Sequence, residues 1–327
     1  MSKKLKLFLK IAVTIGFLVW AVESINWQEM IETLRKIELW QIVVYIAVVV
    51  LGILISSYKW KLLAEFKGIN LPLRDFFKYY FTGTFINNFM PSFIGGDTFR
   101  AYEIGKEEKK YAEAASTVMI DRFTGLVSAT ILAIIFTFVN FKTVFHHPTL
   151  IIVNILVVLS LLLDLAVTKI KHVSFVKKIG LKFIPEKILK VLREMDSYNH
   201  NSHVFGKSVF WGMIFSLIGL ALSNYILFLS LGIEIKLLDY LSVIFLIAII
   251  SSVPITVNNI GLKEWAYVTF FGFFGISSSS VIMVAILSRF LQMGLSFFAL
   301  PVYIESKKDV SLLKKKEEKS SLQKEFV

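Results

Sequence analysis

The chain has 327 residues, of which 56% are hydrophobic and only 18% charged, and its formal net charge is +12. Soluble domains are about 45–50% apolar and about 25% charged, so this composition indicates a polytopic integral membrane protein. The basic residues collect in a few loops and in the tail, which follows the positive-inside rule and argues against nucleic acid binding. There are no cysteines, which excludes disulfides, thiolate metal sites and a cysteine nucleophile.

Six stretches are predicted to cross the membrane completely. They cover residues 5–22, 39–57, 112–139, 149–167, 208–232 and 281–304. The first has the charge and apolar run of a signal sequence but no small-residue cleavage site, so we expect an uncleaved helix. Residues 24–38 are amphipathic, and Tyr58–Lys61 is an aromatic and basic group that we expect at the cytoplasmic interface.

A first interrupted segment follows the second span and predicts a re-entrant helix pair. Its first piece, residues 72–90, is rich in aromatic residues and ends at Pro91. Gly95-Gly96 is expected to break the chain again, and Asp97 is expected to cap a short helix that ends near Gly105. The two halves would enter from one side of the membrane and return to it.

A second interrupted segment has the same form. An apolar run to Val253 is followed by a break over Pro254–Gly261 and then by a second apolar run of about ten residues. Ten residues are too few to cross about 30 Å at about 1.5 Å per residue. This segment also predicts a re-entrant pair.

Each interrupted segment is followed by a span with a similar tripeptide, Asp121-Arg122-Phe123 or Ser288-Arg289-Phe290. Basic loops on the cytoplasmic side, including residues 168–207, give the two units opposite orientations. We therefore expect an all-α polytopic membrane fold with six full spans and two re-entrant helix pairs in an inverted-topology repeat. The repeat units are residues 72–140 and 236–304.

These units belong to one predicted transmembrane domain, residues 1–304, followed by a charged and disordered tail, residues 305–327. Both termini are expected in the cytoplasm, and the membrane is expected to be the cytoplasmic membrane of a prokaryote. Residues 168–207 are too few for a catalytic domain, although a helix over 185–195 is expected there. Self-association into a homo-oligomer stays open.

The first break combines glycine, aspartate and arginine residues, and this combination favours binding of an anion. Gly95 and Gly96 would allow positive φ and a close approach of the ligand to main-chain N–H groups. The helix that Asp97 caps would present its positive end to a phosphate, and Arg100 could add a bidentate contact. The structural alternative is a turn in which Asp97 only caps and Arg100 pairs with a carboxylate.

Charged residues within the spans need partners at membrane depth. Because adjacent residues on a helix do not face each other, we expect Arg122 to meet Asp97 or a ligand, and Asp121 to hold Arg100. Arg289 would need Glu264, an anionic lipid group or a water-filled cavity.

The candidate residues for binding a lipid headgroup are those at the two breaks and in the spans that follow. They are Asn87, Asn88, Gly95, Gly96, Asp97, Arg100, Asp121, Arg122, Asn258, Asn259, Gly261, Lys263, Glu264 and Arg289. The sequence lacks the motifs of a nucleophilic hydrolase, a P-loop or a metal site, and its five histidines show no ligand spacing. We therefore expect no catalytic residues, no metal and no cofactor.

The same residues resemble the flippase-like membrane region of lysylphosphatidylglycerol synthases, and a stand-alone form of it in bacteria and archaea. The resemblance rests on Asn87, Pro91, Gly95, Gly96, Asp97, Arg100, Asp121, Arg122, Gly125, Pro254, Gly261 and Glu264. It extends to about residue 304, and Asn258-Asn259 stands where the family usually has Gly-Gly. The resemblance implies movement of aminoacylated or otherwise decorated lipids between leaflets, without the aminoacyltransferase domain of the synthase.

Three functions follow as hypotheses. The first is a flippase-type transporter for an anionic or aminoacylated phospholipid or a lipid-linked headgroup. The second is the membrane subunit of a lipid-modifying system that works with a separate soluble transferase docked on the basic loop. The third is a transporter of small ions or solutes.

Overall fold

The computed structural model describes residues 12–17, 19–20, 22–23, 25, 27–35, 37–90, 94–169, 186–253 and 255–306. Within these residues the regular structure is helical and includes no strand, so the predicted all-α class is confirmed for this part of the chain. The predictions for the N-terminal lysines, Pro91, Pro254, most of the basic loop and nearly all of the tail lie outside the described residues.

Helical residues 12–17, 19–20 and 22–23 precede the helices that we number α1 to α12. These are α1 Trp27–Leu34, α2 Leu39–Phe66, α3 Leu73–Phe89, α4 Ile94–Glu108, α5 Tyr111–Val139, α6 Phe141–Phe145, α7 Pro148–Lys169, α8 Glu186–Asp196, α9 Ser202–Ser230, α10 Leu237–Ser251, α11 Leu262–Gly272 and α12 Ser278–Ser306. A 3-10 turn, Phe297–Ala299, lies within α12.

Four of the described helices, α2, α5, α9 and α12, are long and apolar enough to cross a membrane. They coincide with four of the six predicted spans. The helix α7 lies where the fourth span was expected, and its apolar part is shorter, as is that of α10. Large apolar side chains lie exposed on the outer surface, for example Leu39, Phe138 and Phe298. Such a surface suits contact with lipid tails rather than with water.

The first interruption lies earlier in the chain than the sequence suggested. The helix α3 ends at Phe89, and α4 begins at Ile94, so Gly95-Gly96 lies within the first turn of α4. The expectations that this pair breaks the chain with positive φ and that Asp97 caps the helix are therefore wrong. The helix also continues past Gly105 to Glu108.

Close helix packing explains why glycine occupies position 96. A Cβ atom there would lie 2.1 Å from the carbonyl oxygen of Gly83 in α3. The Gly96 N–H donates to Asn87 Oδ1 over 2.9 Å, which satisfies one of the free amides at the start of α4. The glycine thus holds α3 and α4 together as a tight hairpin.

The second interruption is confirmed between Ser251 and Leu262. Three of its residues have positive φ: Asn258 at 48°, Asn259 at 56° and Gly261 at 82°. Asparagine tolerates this left-handed region better than most other residues with a Cβ.

The close approach of α2 and α9 fixes the middle of the bundle. A Cβ atom on Gly52 would lie 2.6 Å from Gly219 Cα, so the two backbones are nearly in contact. Gly219 lies in a π-helical turn, Ser216–Leu222, within α9. Small-residue contacts of this kind are a common basis of helix association in membranes.

We expect Gly52→Ala to destabilise the protein by about 1–3 kcal/mol, because the added methyl group meets backbone atoms that cannot move aside. Thermal unfolding in detergent would measure this as a lower Tm. Gly206→Ala in α9 is the control, because nothing lies within 4 Å of that Cβ position. An unchanged Tm in Gly52→Ala would contradict the close contact.

Candidate functional site

A cavity of about 340 Å³ lies where the two interrupted segments meet. The helices α3, α4 and α5 line one part, and α11, α12 and the turn before α11 line the other. Most of the predicted residues line this cavity, namely Asn87, Asn88, Gly96, Asp97, Arg100, Arg122, Asn258, Asn259, Lys263 and Arg289. The remaining predicted residues, Gly95, Asp121, Gly261 and Glu264, are not among the residues that line it.

Four further residues that the sequence analysis did not select also line the cavity: Tyr80, Gly83, Thr84 and Gln292. Tyr80 belongs to the aromatic-rich segment, and Gln292 lies one turn after Arg289 on α12. A search of one helical turn on either side of each charged residue would have found Gln292. Gly83 and Thr84 carry no comparable signal.

An alternating chain of charges runs from the cavity into the bundle. Arg122 Nε and Nη2 donate to the Asp97 carboxylate, with 3.1 Å between Nη2 and Oδ1. Asp97 Oδ1 also accepts from Arg100 Nε over 3.1 Å. Arg100 Nη1 donates to Asp121 Oδ2 over 2.9 Å. Both pairings that the sequence suggested, Arg122 with Asp97 and Arg100 with Asp121, are confirmed.

Lys59 completes this chain and corrects the sequence analysis. Its Nζ lies 3.0 Å from Asp121 Oδ1 and donates to the Asp121 main-chain oxygen over 2.7 Å. The expectation that Tyr58–Lys61 anchors the cytoplasmic interface is therefore wrong for Lys59 and for Trp60, both of which are buried. The predicted span ended at residue 57, but α2 continues to Phe66. The apolar residues in this extension were the sequence signal for a longer helix.

The two arginines of the chain differ in their access to the cavity. Arg100 is 4% exposed, and its guanidinium lies 5.0 Å from the Trp60 ring and 4.6 Å from the Tyr80 ring. Such cation–π contacts and two carboxylates hold it firmly. The Arg122 side chain is 47% exposed. Arg100 therefore positions the carboxylates, and Arg122 is the arginine of this segment that a ligand can reach.

The second segment has a smaller network of hydrogen bonds, which is centred on Arg289. Its guanidinium donates to the main-chain oxygens of Asn258, over 3.0 Å, and Asn259, over 3.3 Å, and to Glu264 Oε1 over 3.2 Å. Of the three alternatives considered for Arg289, the structure shows the pairing with Glu264, and Arg289 also lines the cavity. Glu264 Oε2 in turn accepts from the Gly261 N–H over 2.6 Å, so one carboxylate holds both the turn and the arginine.

Lys263 lies beside this group and lines the cavity. Its Nζ donates to Ser288 Oγ over 2.9 Å and lies 5.4 Å from the centre of the Tyr267 ring. Among the described residues, no carboxylate lies within ion-pair distance of this ammonium. Its partners in the protein are thus a neutral hydroxyl and an aromatic face.

The two segments place their ion pairs at matching positions. In each, the acid lies in the first turn of the helix after the break, Asp97 in α4 and Glu264 in α11. In each, the arginine follows the acid by 25 residues and lies on the next long helix. A direct contact also joins the two segments, because Asn88 Nδ2 donates to Ser296 Oγ over 2.6 Å.

Two mainly apolar cavities adjoin the first. One, of about 510 Å³, shares Tyr80, Arg100 and Arg122 with it and extends between α5, α9 and α10. The other, of about 710 Å³, shares Asp97 and Arg122 and extends between α4 and α5. The site therefore combines a cationic, hydrogen-bonding cavity with apolar walls next to it. In the part of the chain that the structure describes, no group of acids and histidines could hold a metal ion.

Removal of the Asp121 carboxylate should destabilise the protein strongly. Asp121→Asn leaves Lys59 and Arg100 without their shared counter-charge in the interior, and we expect a loss of about 3–5 kcal/mol. Lys59→Met should cost less, because Asp121 keeps Arg100 as its partner. Thermal unfolding in detergent tests this order. Lys61→Met is the control, since it removes a surface pair with Glu65, and we expect a change within about 0.5 kcal/mol.

Comparisons with known proteins found relatives that are named as membrane proteins. A UPF0104 membrane protein of Methanocaldococcus jannaschii is 26% identical over 272 residues, which cover 77% of this chain and 80% of the relative. A UPF0104 membrane protein of Methanothermobacter thermautotrophicus is 24% identical over 291 residues, which cover 81% of this chain and 84% of the relative. No solved structure matches the chain. The family model described as the lysylphosphatidylglycerol synthase TM region matches residues 7–299, so the chain belongs to this family of membrane proteins.

Proposed function

We propose that this protein moves a lipid with an anionic headgroup between the two leaflets of the membrane. The observation that carries the proposal is the shared cavity, which is lined by four cationic side chains and one carboxylate. These are Arg100, Arg122, Lys263, Arg289 and Asp97. A cavity with this charge suits a phosphate better than a cation, and the apolar cavities beside it suit the hydrocarbon chains.

The depth of the charges supports this proposal. Arg122 lies about three turns, or about 17 Å, along α5 from Tyr111. Arg289 lies the same distance along α12 from Ser278. If both helices begin at opposite membrane surfaces, the two arginines meet near the middle of a hydrocarbon layer about 30 Å thick. Charged side chains at such depth are costly and are usually retained for a function.

The matching ion pairs support a repeat of inverted topology. In our proposal α3, α4 and α5 form one unit, and α10, α11 and α12 form the other in the opposite orientation. Both termini then lie in the cytoplasm of a prokaryotic cell, and the two helix hairpins are re-entrant. Transport would occur as one unit rocks against the other around a fixed binding site between them, as in many secondary transporters.

The headgroup phosphate would compete with Asp97 for Arg122. A guanidinium can contact a carboxylate or a phosphate through two parallel N–H groups, so one partner can replace the other without loss of geometry. Without ligand, Asp97 keeps Arg122 neutralised at membrane depth. With ligand, Asp97 keeps Arg100 as its partner, and the phosphate takes the Arg122 fork.

The subunit of a lipid-modifying system is a weaker candidate. It would use the basic loop to dock a soluble transferase. Within the described part of that loop, α8 packs on the membrane helices through Lys67 with Glu194, at 2.7 Å, and Lys190 with Glu113, at 3.3 Å. These charges have partners within the chain, and no contact among the described residues specifically favours a docked enzyme.

Transfer of a labelled anionic phospholipid between leaflets of proteoliposomes tests the proposal. We expect Arg122→Gln with Arg289→Gln to reduce the transfer rate at least about tenfold, because each lost arginine contact to a phosphate contributes roughly 1.5–3 kcal/mol. Arg74→Gln is the matched control, because Arg74 is exposed and lies outside the cavity. Equal rates in the double variant and the control would contradict the proposal.

A cross-link between the two units tests the rocking motion. Since the chain has no cysteine, Asn88→Cys with Ser296→Cys adds the only thiols, at two positions whose side chains touch. We expect oxidation of the two thiols to a disulfide to stop lipid transfer, and reduction of that disulfide to restore it. Each single cysteine variant, treated in the same way, is the control. Undiminished transfer by the cross-linked protein would rule out movement between these helices.

A further inference from the structure

We infer that the apolar cavity between α4 and α5 is a lateral opening, in which one acyl chain of the lipid lies while the headgroup occupies the charged cavity. The inference rests on the proposed function and adds the route by which the lipid exchanges with the surrounding membrane. It assigns this role to the cavity of about 710 Å³ and not to the one between α5, α9 and α10.

This cavity connects the charged cavity with the start of α5. Asp97 and Arg122 line both cavities. From Arg122 the lining continues along one face of α5 through Met119, Ala115 and Tyr111. The distance along the helix from Tyr111 to Arg122 is about 17 Å, which is close to the hydrocarbon thickness of one leaflet, about 15 Å. The cavity is therefore long enough for most of one acyl chain.

The outer side of this cavity is open to the membrane. Tyr102, Tyr111 and Met119 line it and are 36%, 51% and 50% exposed. In the cavity between α5, α9 and α10, the apolar and aromatic side chains of the lining are buried or half-buried. The wall of that cavity also includes the buried ion pair of Lys59 and Asp121. An acyl chain in the membrane therefore has more direct access to the cavity between α4 and α5.

Small side chains create the space between α4 and α5. Ala101 and Ala115 line this cavity, and each has a larger counterpart in the second segment. The register that matches the ion pairs of the two segments also matches Ala101 with Val268 and Ala115 with Ile282. Ile282 is 0% exposed, so its side chain fills the corresponding place. The second segment thus supplies the two substitutions that should fill the opening in the first.

Photochemical labelling of the full-length chain in proteoliposomes tests the position of the acyl chain. The probe is phosphatidylglycerol with a diazirine in one acyl chain, and mass spectrometry locates the label. We expect label on Val118, which lines the cavity but is only 4% exposed, so that lipid on the outer surface hardly reaches it. Val127 is the matched control, because this valine of α5 is also 4% exposed but is not among the residues that line the cavity.

Filling the cavity tests its role in transfer. We expect Ala101→Val with Ala115→Ile to lower both the label on Val118 and the rate of lipid transfer at least about fivefold, because the added methyl and methylene groups overpack the space that the acyl chain needs. Ala47→Ile is the control, because Ala47 is an exposed alanine of α2 outside this cavity. It should behave as the unaltered protein.

Each outcome decides a different statement. Equal label on Val118 and Val127 in the unaltered chain overturns the acyl site without reference to the folding of any variant, and lipid transfer by that chain then leaves the proposed function intact. Equal transfer rates in the double variant and Ala47→Ile overturn the opening as the route. If the unaltered chain carries label on Val118 but transfers no lipid, the acyl site holds and the proposed transport fails. If it shows neither, both proposals fail.

Discussion

The contact between Asp121 and its two cations is the interaction on which the rest of the site depends. Lys59 from α2 and Arg100 from α4 meet on one carboxylate of α5, so three helices are tied at a single buried point. Removing one member leaves a buried charge without its counter-charge, which destabilises the protein far more than the loss of a surface ion pair. The position of Asp97, and through it that of Arg122, follows from this arrangement.

A second carboxylate has the corresponding task on the other side of the cavity. Glu264 accepts from a main-chain N–H of the turn and from Arg289, so it fixes where α11 starts relative to α12. The first segment uses a network of five charges, of which Lys59, Arg100 and Asp121 are buried. The second uses a single ion pair with main-chain support. The cationic surface between them is the sum of both.

Much of this site could be predicted from the sequence, because the constraints were local. Adjacent Asp121 and Arg122 point in different directions on a helix, so each had to have its own partner, and the structure gives the expected partners. Lys59 was missed because its neighbours Tyr58 and Trp60 resemble an interface anchor, and its partner lies 62 residues away. Gly96 was misinterpreted because glycine can allow either a turn or the close packing of two helices. Only its proximity to Gly83, which the sequence does not reveal, identifies close packing as its role.

The asparagine turn before α11 has a consequence for how substitutions there would be tolerated. Asn258 and Asn259 hold Arg289 through their carbonyl oxygens, and those carbonyls are directed by left-handed backbone angles. For holding Arg289, the requirement at both positions is thus the backbone conformation rather than the side chain. Glycine, which enters that region without strain, satisfies it equally well, whereas β-branched residues would misdirect the carbonyls. Substitutions between asparagine and glycine at this turn should therefore leave the orientation of Arg289 unchanged.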